Sequence, residues 1–327
     1  MSIIVTGGAG FIGSHFLNYI YRQTDNNIIV LDNLTYAANI NNIPKSSNIN
    51  FIWCDISDED HINFIFHKYK PKKVFHFAAE SCVDNSINNY KPFVKTNIIG
   101  TINLLNASLS CNLEKFHHIS TDEVYGSLNY DDTELFKETT QINPRNPYSA
   151  SKASSEHFVT SWNNTYNLPY IITSCSNNYG PYQNEEKLIP KVINNALRGE
   201  KTYMFGGGSQ IRDWIYVEDH CEAIWKIDQD GLINDKFNIG GNCELQNIVV
   251  TKKILDLMGK SHELIGFKDQ NEDPKDIYAT DSFRPGHDLR YGTDCSKLSN
   301  LTGWKPKTKF DSGLEKTINW YLENIKI

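Results

Sequence analysis

Short apolar runs alternate with longer amphipathic stretches through the first half of the chain. The runs at 3–6, 28–32, 51–54, 74–78, 116–120 and 171–175 are rich in Ile, Val and Phe, which predicts buried strands. Between them, 11–23, 58–68, 93–111 and 148–166 carry apolar residues at helical spacing. Strand and helix in strict alternation predict right-handed βαβ units, and so an α/β fold with a doubly wound parallel sheet. Beyond residue 176 the rhythm breaks. Loops of Asn, Gly and Pro at 176–186, 206–210 and 281–288 separate shorter helices such as 188–198 and 312–323. The expected division is residues 1–175 as the sheet-bearing part and 176–327 as a smaller cap, some of whose segments return to the sheet.

Composition narrows the classes. Asp and Glu outnumber Lys and Arg by 39 to 32, a net charge of −7, which argues against a nucleic-acid or anionic-membrane partner. The cysteines at 54, 82, 111, 175, 221, 243 and 295 are scattered and odd in number. Reduced thiols explain them better than a disulfide framework or structural zinc, and no metal-ligand spacing is seen. The chain begins directly with a strand, and no segment is apolar for long enough to span a bilayer. A soluble, cytoplasmic protein is expected.

Thr6-Gly7-Gly8-Ala9-Gly10-Phe11-Ile12-Gly13 links the first strand to the first helix. Glycines at 7, 10 and 13 permit a tight turn and close approach of a pyrophosphate, which the helix N-terminus attracts. Asp32 ends the second strand about 20 residues on, where an acid accepts hydrogen bonds from a ribose. No arginine follows it directly, so NAD is expected rather than NADP. Asp55-Ile56 closes the third strand and could meet the adenine or cap the helix that follows. Phe77-Ala78-Ala79 closes the fourth with small residues that let a cofactor lie on the backbone.

Tyr148-Ser149-Ala150-Ser151-Lys152 sets a phenol and an ammonium one helical turn apart. The ammonium is expected to lower the phenol's pKa and make it a base near neutrality. Tyr69 and Lys73 share the spacing, but Pro71 breaks any helix there. Thr121, Asp122 and Glu123 end the fifth strand, at the edge where ligands bind in such sheets. Two carboxyls in unlike surroundings can divide acid and base roles. His76, His117 and His118 fall on predicted strands and read as packed side chains.

The motifs T-G-G-A-G-F-I-G, S-T-D-E-V-Y-G and Y-S-A-S-K resemble those of the extended short-chain dehydrogenase/reductases. More narrowly, they resemble the nucleoside-diphosphate-sugar 4,6-dehydratases of the dTDP-glucose type. The likeness continues through Ser176–Gln183 (S-N-N-Y-G-P-Y-Q), Glu186-Lys187-Leu188-Ile189-Pro190, Arg212-Asp213-Trp214 and Arg284-Pro285-Gly286-His287, so it spans the chain. It implies a Rossmann-type domain with a smaller α/β substrate-binding cap, and NAD that stays bound and is regenerated each turnover. It also implies that Tyr148, with Lys152 and Thr121, takes the proton of the sugar 4-hydroxyl during oxidation at C4. Glu123 would then remove the C5 proton, and Asp122 would protonate the C6 hydroxyl, which leaves as water before hydride returns to C6.

By the same resemblance the cofactor contacts include Phe11, Ile12, Asn33, Thr35, Thr96 and Asn178. The sugar nucleotide meets Ser81, Asn177, Lys187, Leu188, Tyr203, Arg212, Asn247, Arg284 and His287. Arg212 and Arg284 suit a diphosphate, which a guanidinium binds bidentately. The helices at 93–111 and 148–166 are expected to form a homodimer interface. Departures gather at the pocket edge: Cys82 stands where relatives have His, Asn85 where they have Arg, Tyr203 for Pro and Phe283 for Asp. They are read either as a changed donor (UDP, or a 2-acetamido sugar) or as neutral drift. Rival functions are a 4-epimerase, dehydration with C5 epimerisation, and an NAD-binding sensor or scaffold.

Overall fold

The six apolar runs form strands, five with buried side chains and the edge strand at 49–53 half-buried, with Phe51 and Ile52 packed on opposite faces. The computed structural model describes residues 1–267 and 286–324. Its strands are β1 Ser2–Thr6, β2 Asn27–Asp32, β3 Ile49–Trp53, β4 Lys73–His76, β5 Lys115–Thr121 and β6 Tyr170–Cys175. They continue with β7 Asn177–Tyr179, β8 Thr202–Met204, β9 Ile211–Tyr216, β10 Asp235–Ile239, β11 Glu244–Gln246 and β12 Ile265–Phe267. The order β3-β2-β1-β4-β5-β6-β10 makes one seven-stranded sheet in which every pair is parallel. Strand order reverses between β1 and β4, which opens a crevice at their carboxyl ends. β7, β9 and β11 form a second small sheet, and β8 with β12 a third.

Helices cover both faces. They are α1 Phe11–Ile20, α2 Glu59–Tyr69, α3 Val83–Asn88, α4 Lys91–Phe93, α5 Thr101–Leu109, α6 Pro147–Tyr166, α7 Leu188–Arg198, α8 Val217–Gln229, α9 Asn247–Leu257, α10 Ser296–Thr302 and α11 Phe310–Asn324. Strand alternation sorts the core. Ile3, Val5, Phe75 and Phe237 pack with Phe16, Leu17 and Ile224 of α1 and α8. Ile4, Leu31, Val74 and Phe116 pack on the opposite face with Ile62, Phe66, Leu104 and Val159 of α2, α5 and α6. Each such fully buried side chain contributes roughly 1.5–3 kcal/mol. A separate cluster under α7, α9 and α11 holds the second half together through Tyr179, Ile193, Trp214, Ile254 and Leu314.

Two features depart from a simple reading of the periodicity. The helix predicted at 93–111 is interrupted: α4 runs into a π-helical stretch, Val94–Gly100, before α5 begins. That wider turn carries Asn97, whose amide accepts from the Glu80 N–H (2.9 Å) and donates to the Glu80 carbonyl (3.0 Å) and Ser151 hydroxyl (2.8 Å). It thereby pins the segment after β4 beside α6, as extra-wide turns at functional sites often do. The other feature is β10, drawn from the second half, which completes the sheet beside β6. Among the described residues, no helix is long and apolar enough to cross a membrane.

Candidate active site

The glycine turn is closed so tightly that no side chain fits. Gly7 sits at φ +68°, and a Cβ there would lie 2.6 Å from the Ala78 nitrogen; one on Gly13 would lie 2.2 Å from the Gly7 carbonyl. The first N–H groups of α1 therefore face an open cleft of about 290 Å3 across the carboxyl ends of β1, β2 and β4. Asp32 at the end of β2 is 7% exposed and accepts from the Ala9 N–H (2.9 Å) and the Leu34 N–H (2.8 Å). Each of its oxygens keeps a lone pair for a ribose hydroxyl.

Gly7, Gly10, Phe11, Ile12, Gly13, Asp32, Asn33, Thr35, Ile56, Ala78, Ala79, Thr96, Tyr148, Lys152 and Asn178 all line this cleft. Asp55 does not. Its carboxylate accepts from the Ser57 N–H (2.9 Å) and hydroxyl (2.7 Å) and pairs with Lys95 (2.9 Å), a turn-forming role that draws it away. A glycine cradle without room for Cβ atoms, a helix N-terminus and a strand-end acid with free lone pairs fit a dinucleotide.

α6 starts where its cap dictates. Asn146 accepts from the Ser149 N–H (2.8 Å), Ser149 Oγ accepts from the Asn146 N–H (3.2 Å), and Pro147 occupies the first turn. Tyr148 and Lys152 then share the face towards β5. The Lys152 ammonium donates to the Ile119 carbonyl (2.7 Å) and lies 3.4 Å from His118 Nε2; burial pulls its pKa down to about 8. Burial and the nearby Glu123 charge push the Tyr148 phenol well above its ordinary range, against a hydrogen bond with Thr121. This corrects the expected lowering. Lys152, in contact with Ile119 and His118, does not outweigh burial and Glu123 at the phenol.

The end of β5 holds the carboxyl pair. Asp122 is 2% exposed, and burial, Glu123 and Asp213 push its carboxyl well above the usual carboxylate range. Glu123, half-buried on the same short turn, is raised by burial and by Asp288. Thr121, Asp122 and Glu123 line the first cleft, and Glu123 also lines an adjoining one of about 200 Å3.

The second cleft collects residues from distant parts of the chain: Asn177, Lys187, Leu188, Arg212, Asn247 and His287. Arg212 is locked by donation to the Ile211 (2.7 Å) and Asp288 (2.9 Å) carbonyls, and it stacks 4.3 Å over Tyr291. Lys187 donates to the Ser81 carbonyl (2.8 Å), joining the two clefts, and Ser81 itself lines the first. Tyr203 lines neither cleft; on β8 it is 49% exposed. Of the departures, Cys82 lines the second cleft, Asn85 reaches outward to Tyr36, and Arg284 and Phe283 lie outside the described residues.

Sequence reasoning missed several supports. His220, held neutral by burial with a pKa near 3, lies 2.8 Å from the Asn178 amide oxygen and fixes its orientation. Tyr291 donates to Asp288 (2.6 Å) beneath Arg212. Neither belongs to a short motif, so spacing offered no signal for them.

Fold, cradle and carboxyl pair together define an NAD-dependent sugar-nucleotide 4,6-dehydratase of the short-chain dehydrogenase/reductase type. The profile of the GDP-mannose 4,6 dehydratase family matches residues 4–317, and the chain belongs to that family. It is 46% identical to the dTDP-glucose 4,6-dehydratase of Salmonella typhimurium, over 99% of this chain and 93% of that protein. Its fold is similar to that of the Bacillus anthracis dTDP-glucose 4,6-dehydratase solved in complex with NAD (TM-score 0.87, 40% identity, 99% and 97% covered). The UDP-glucose 4-epimerase of Thermotoga maritima also shares the fold (TM-score 0.87, 30% identity, 100% of both chains).

Proposed function

We propose that the substrate is dTDP-glucose, which the chain converts to the 4-keto-6-deoxy sugar nucleotide. In this reading residues 1–175 bind cofactor and carry the chemistry, and residues 176–327 mainly select the substrate. The observation that carries the dehydration is the buried Asp122, next to Glu123 and lining the same cleft as Tyr148, where burial raises its proton affinity. A 4-epimerase needs Tyr148 and Lys152 but has no use for such an acid.

NAD, when bound, supplies the acceptor for hydride from C4 and the donor for C6. Tyr148 takes the 4-hydroxyl proton, with the Thr121 hydroxyl and the charged Lys152 offsetting the negative charge gathered there. Glu123, whose raised proton affinity makes it a stronger base, removes the C5 proton that the 4-ketone acidifies. Asp122 gives its proton to the C6 oxygen, which departs as water. Arg212 and Arg284 hold the diphosphate, while Ser81, Asn177, Lys187, Leu188, Asn247 and His287 fix the rest of the nucleotide.

A homodimer is part of the proposal, supported by exposed apolar side chains on the predicted helices: Val94 (40%), Ile99 (44%), Leu109 (39%) and Tyr166 (53%). So is a cytoplasmic location, which suits seven free thiols. Turnover of dTDP-glucose, UDP-glucose and UDP-N-acetylglucosamine without added NAD tests the reading. It requires clear preference for dTDP-glucose; preference for the acetamido sugar would assign Cys82 to a changed C2 pocket instead.

A further inference from the structure

We infer that Thr293 is a positioning residue for the general acid, fixing the Asp122 proton on the carboxyl oxygen that faces the cleft. The inference rests on the dehydratase reading of Asp122. Thr293 lies far from that residue in sequence, in the segment that follows residue 286, and it lines neither cleft.

Its backbone is clamped on both sides by one residue. The Phe136 N–H donates to the Gly292 carbonyl (2.9 Å), and the Asp294 N–H donates to the Phe136 carbonyl (2.9 Å). The side chain between these bonds is 2% exposed. Its hydroxyl donates to Asp122 Oδ2 at 3.3 Å. The other oxygen, Oδ1, accepts from the hydroxyl of Thr121 (3.4 Å), a residue that does line the cleft. The two carboxyl oxygens thus have different neighbours, one behind the site and one in it.

A protonated carboxyl carries a single O–H, on either oxygen. In the proposed reaction Thr121, in the cleft, turns its hydroxyl to the sugar 4-oxygen and frees Oδ1. Thr293, behind the site, keeps donating to Oδ2 and so leaves the proton on Oδ1. In the elimination that proton passes to the C6 oxygen. The C6–O bond breaks with its electron pair leaving as water, and the pair freed at C5 forms the C5=C6 bond. Asp122 ends as a carboxylate, to which the Thr293 hydrogen bond is stronger than to the acid. The contact therefore grows along the reaction, which is the condition for it to raise kcat rather than substrate affinity. The ionisable groups around Asp122 are Glu123 on its own turn, Asp213 and Arg212 on β9, Tyr148 on α6 and Cys175 on β6. Of the hydroxyls, Thr121 and Thr293 reach its two oxygens.

The test uses the holoenzyme with Thr293→Val, which keeps the shape and removes the donor, and Thr293→Ser, which keeps the donor. With dTDP-glucose the valine variant is expected to lose about three- to tenfold in kcat at unchanged KM. The high-pH limb of its kcat profile should move upward, because an acid deprived of a donor to its charged form holds its proton more tightly. Serine should restore both. A dTDP-sugar with fluorine in place of the 6-hydroxyl supplies a leaving group far less dependent on protonation, and the valine variant should process it at the wild-type rate. Equal slowing of both substrates, or an unshifted limb, would mean a structural role and overturn the assignment. So would wild-type kinetics in Thr293→Val while the wild type itself dehydrates. A wild type that releases no water overturns the dehydratase reading and, with it, this one.

Discussion

The two clefts are built by opposite means. The cofactor cleft is made of backbone and missing side chains: Gly7 and Gly13 approach their neighbours within distances no Cβ tolerates. The substrate cleft is made of polar, apolar and charged side chains, among them Arg212, which is held by two carbonyls and Tyr291. One recognises its ligand by shape close to the helix N-terminus, the other by a few oriented charges. The difference teaches how a chain with net charge −7 handles two anionic ligands without a basic surface. On the proposed reading, local N–H groups serve one and the buried Arg212 guanidinium the other.

Mutations at the two clefts should accordingly fail in different ways. The largest effect is expected from Gly13→Val, whose side chain would drive into the Gly7 carbonyl; the purified variant should carry no NAD, read from its absorbance after gel filtration. Tyr148→Phe should keep its NAD and lose about a thousandfold in kcat, in the range of a lost acid–base group. Loss of NAD from that variant would blur the division between cradle and chemistry. Arg212→Lys keeps the charge but loses the fork and the stacking on Tyr291, so steady-state kinetics should show KM rising about tenfold with kcat little changed. Smallest is Tyr203→Ala. Exposed and outside both clefts, it should alter kcat and KM by less than about twofold, and a larger effect would return Tyr203 to the substrate site.

The same contrast explains what the sequence disclosed. The sheet, its helices and the cradle were legible because each rests on a local pattern: short apolar runs, helical periodicity and glycines at 7, 10 and 13. Fifteen of the sixteen expected cofactor residues line the first cleft. Asp55 lies outside it because a strand-end acid can serve its own turn, here Ser57, and pair with Lys95, as readily as meet a ligand. The direction of the Tyr148 shift was misread because helical spacing reports that Lys152 is near, not that burial and Glu123 outweigh it at the phenol. That burial beside Glu123 is a tertiary property. Supports such as His220 and Thr293 depend on contacts across 42 and 171 residues, and no local pattern announces them. The interruption at Val94–Gly100 was hidden for a different reason: an apolar helix and one with a π turn differ by a single hydrogen-bond register.

The central claim is that the buried Asp122–Glu123 pair makes this fold remove water rather than invert a hydroxyl. The most direct measurement is the product mass after incubation with dTDP-glucose in deuterated water, without added NAD. The account predicts a product lighter by one water that carries solvent deuterium at C5. A product of unchanged mass, epimerised at C4, would contradict it.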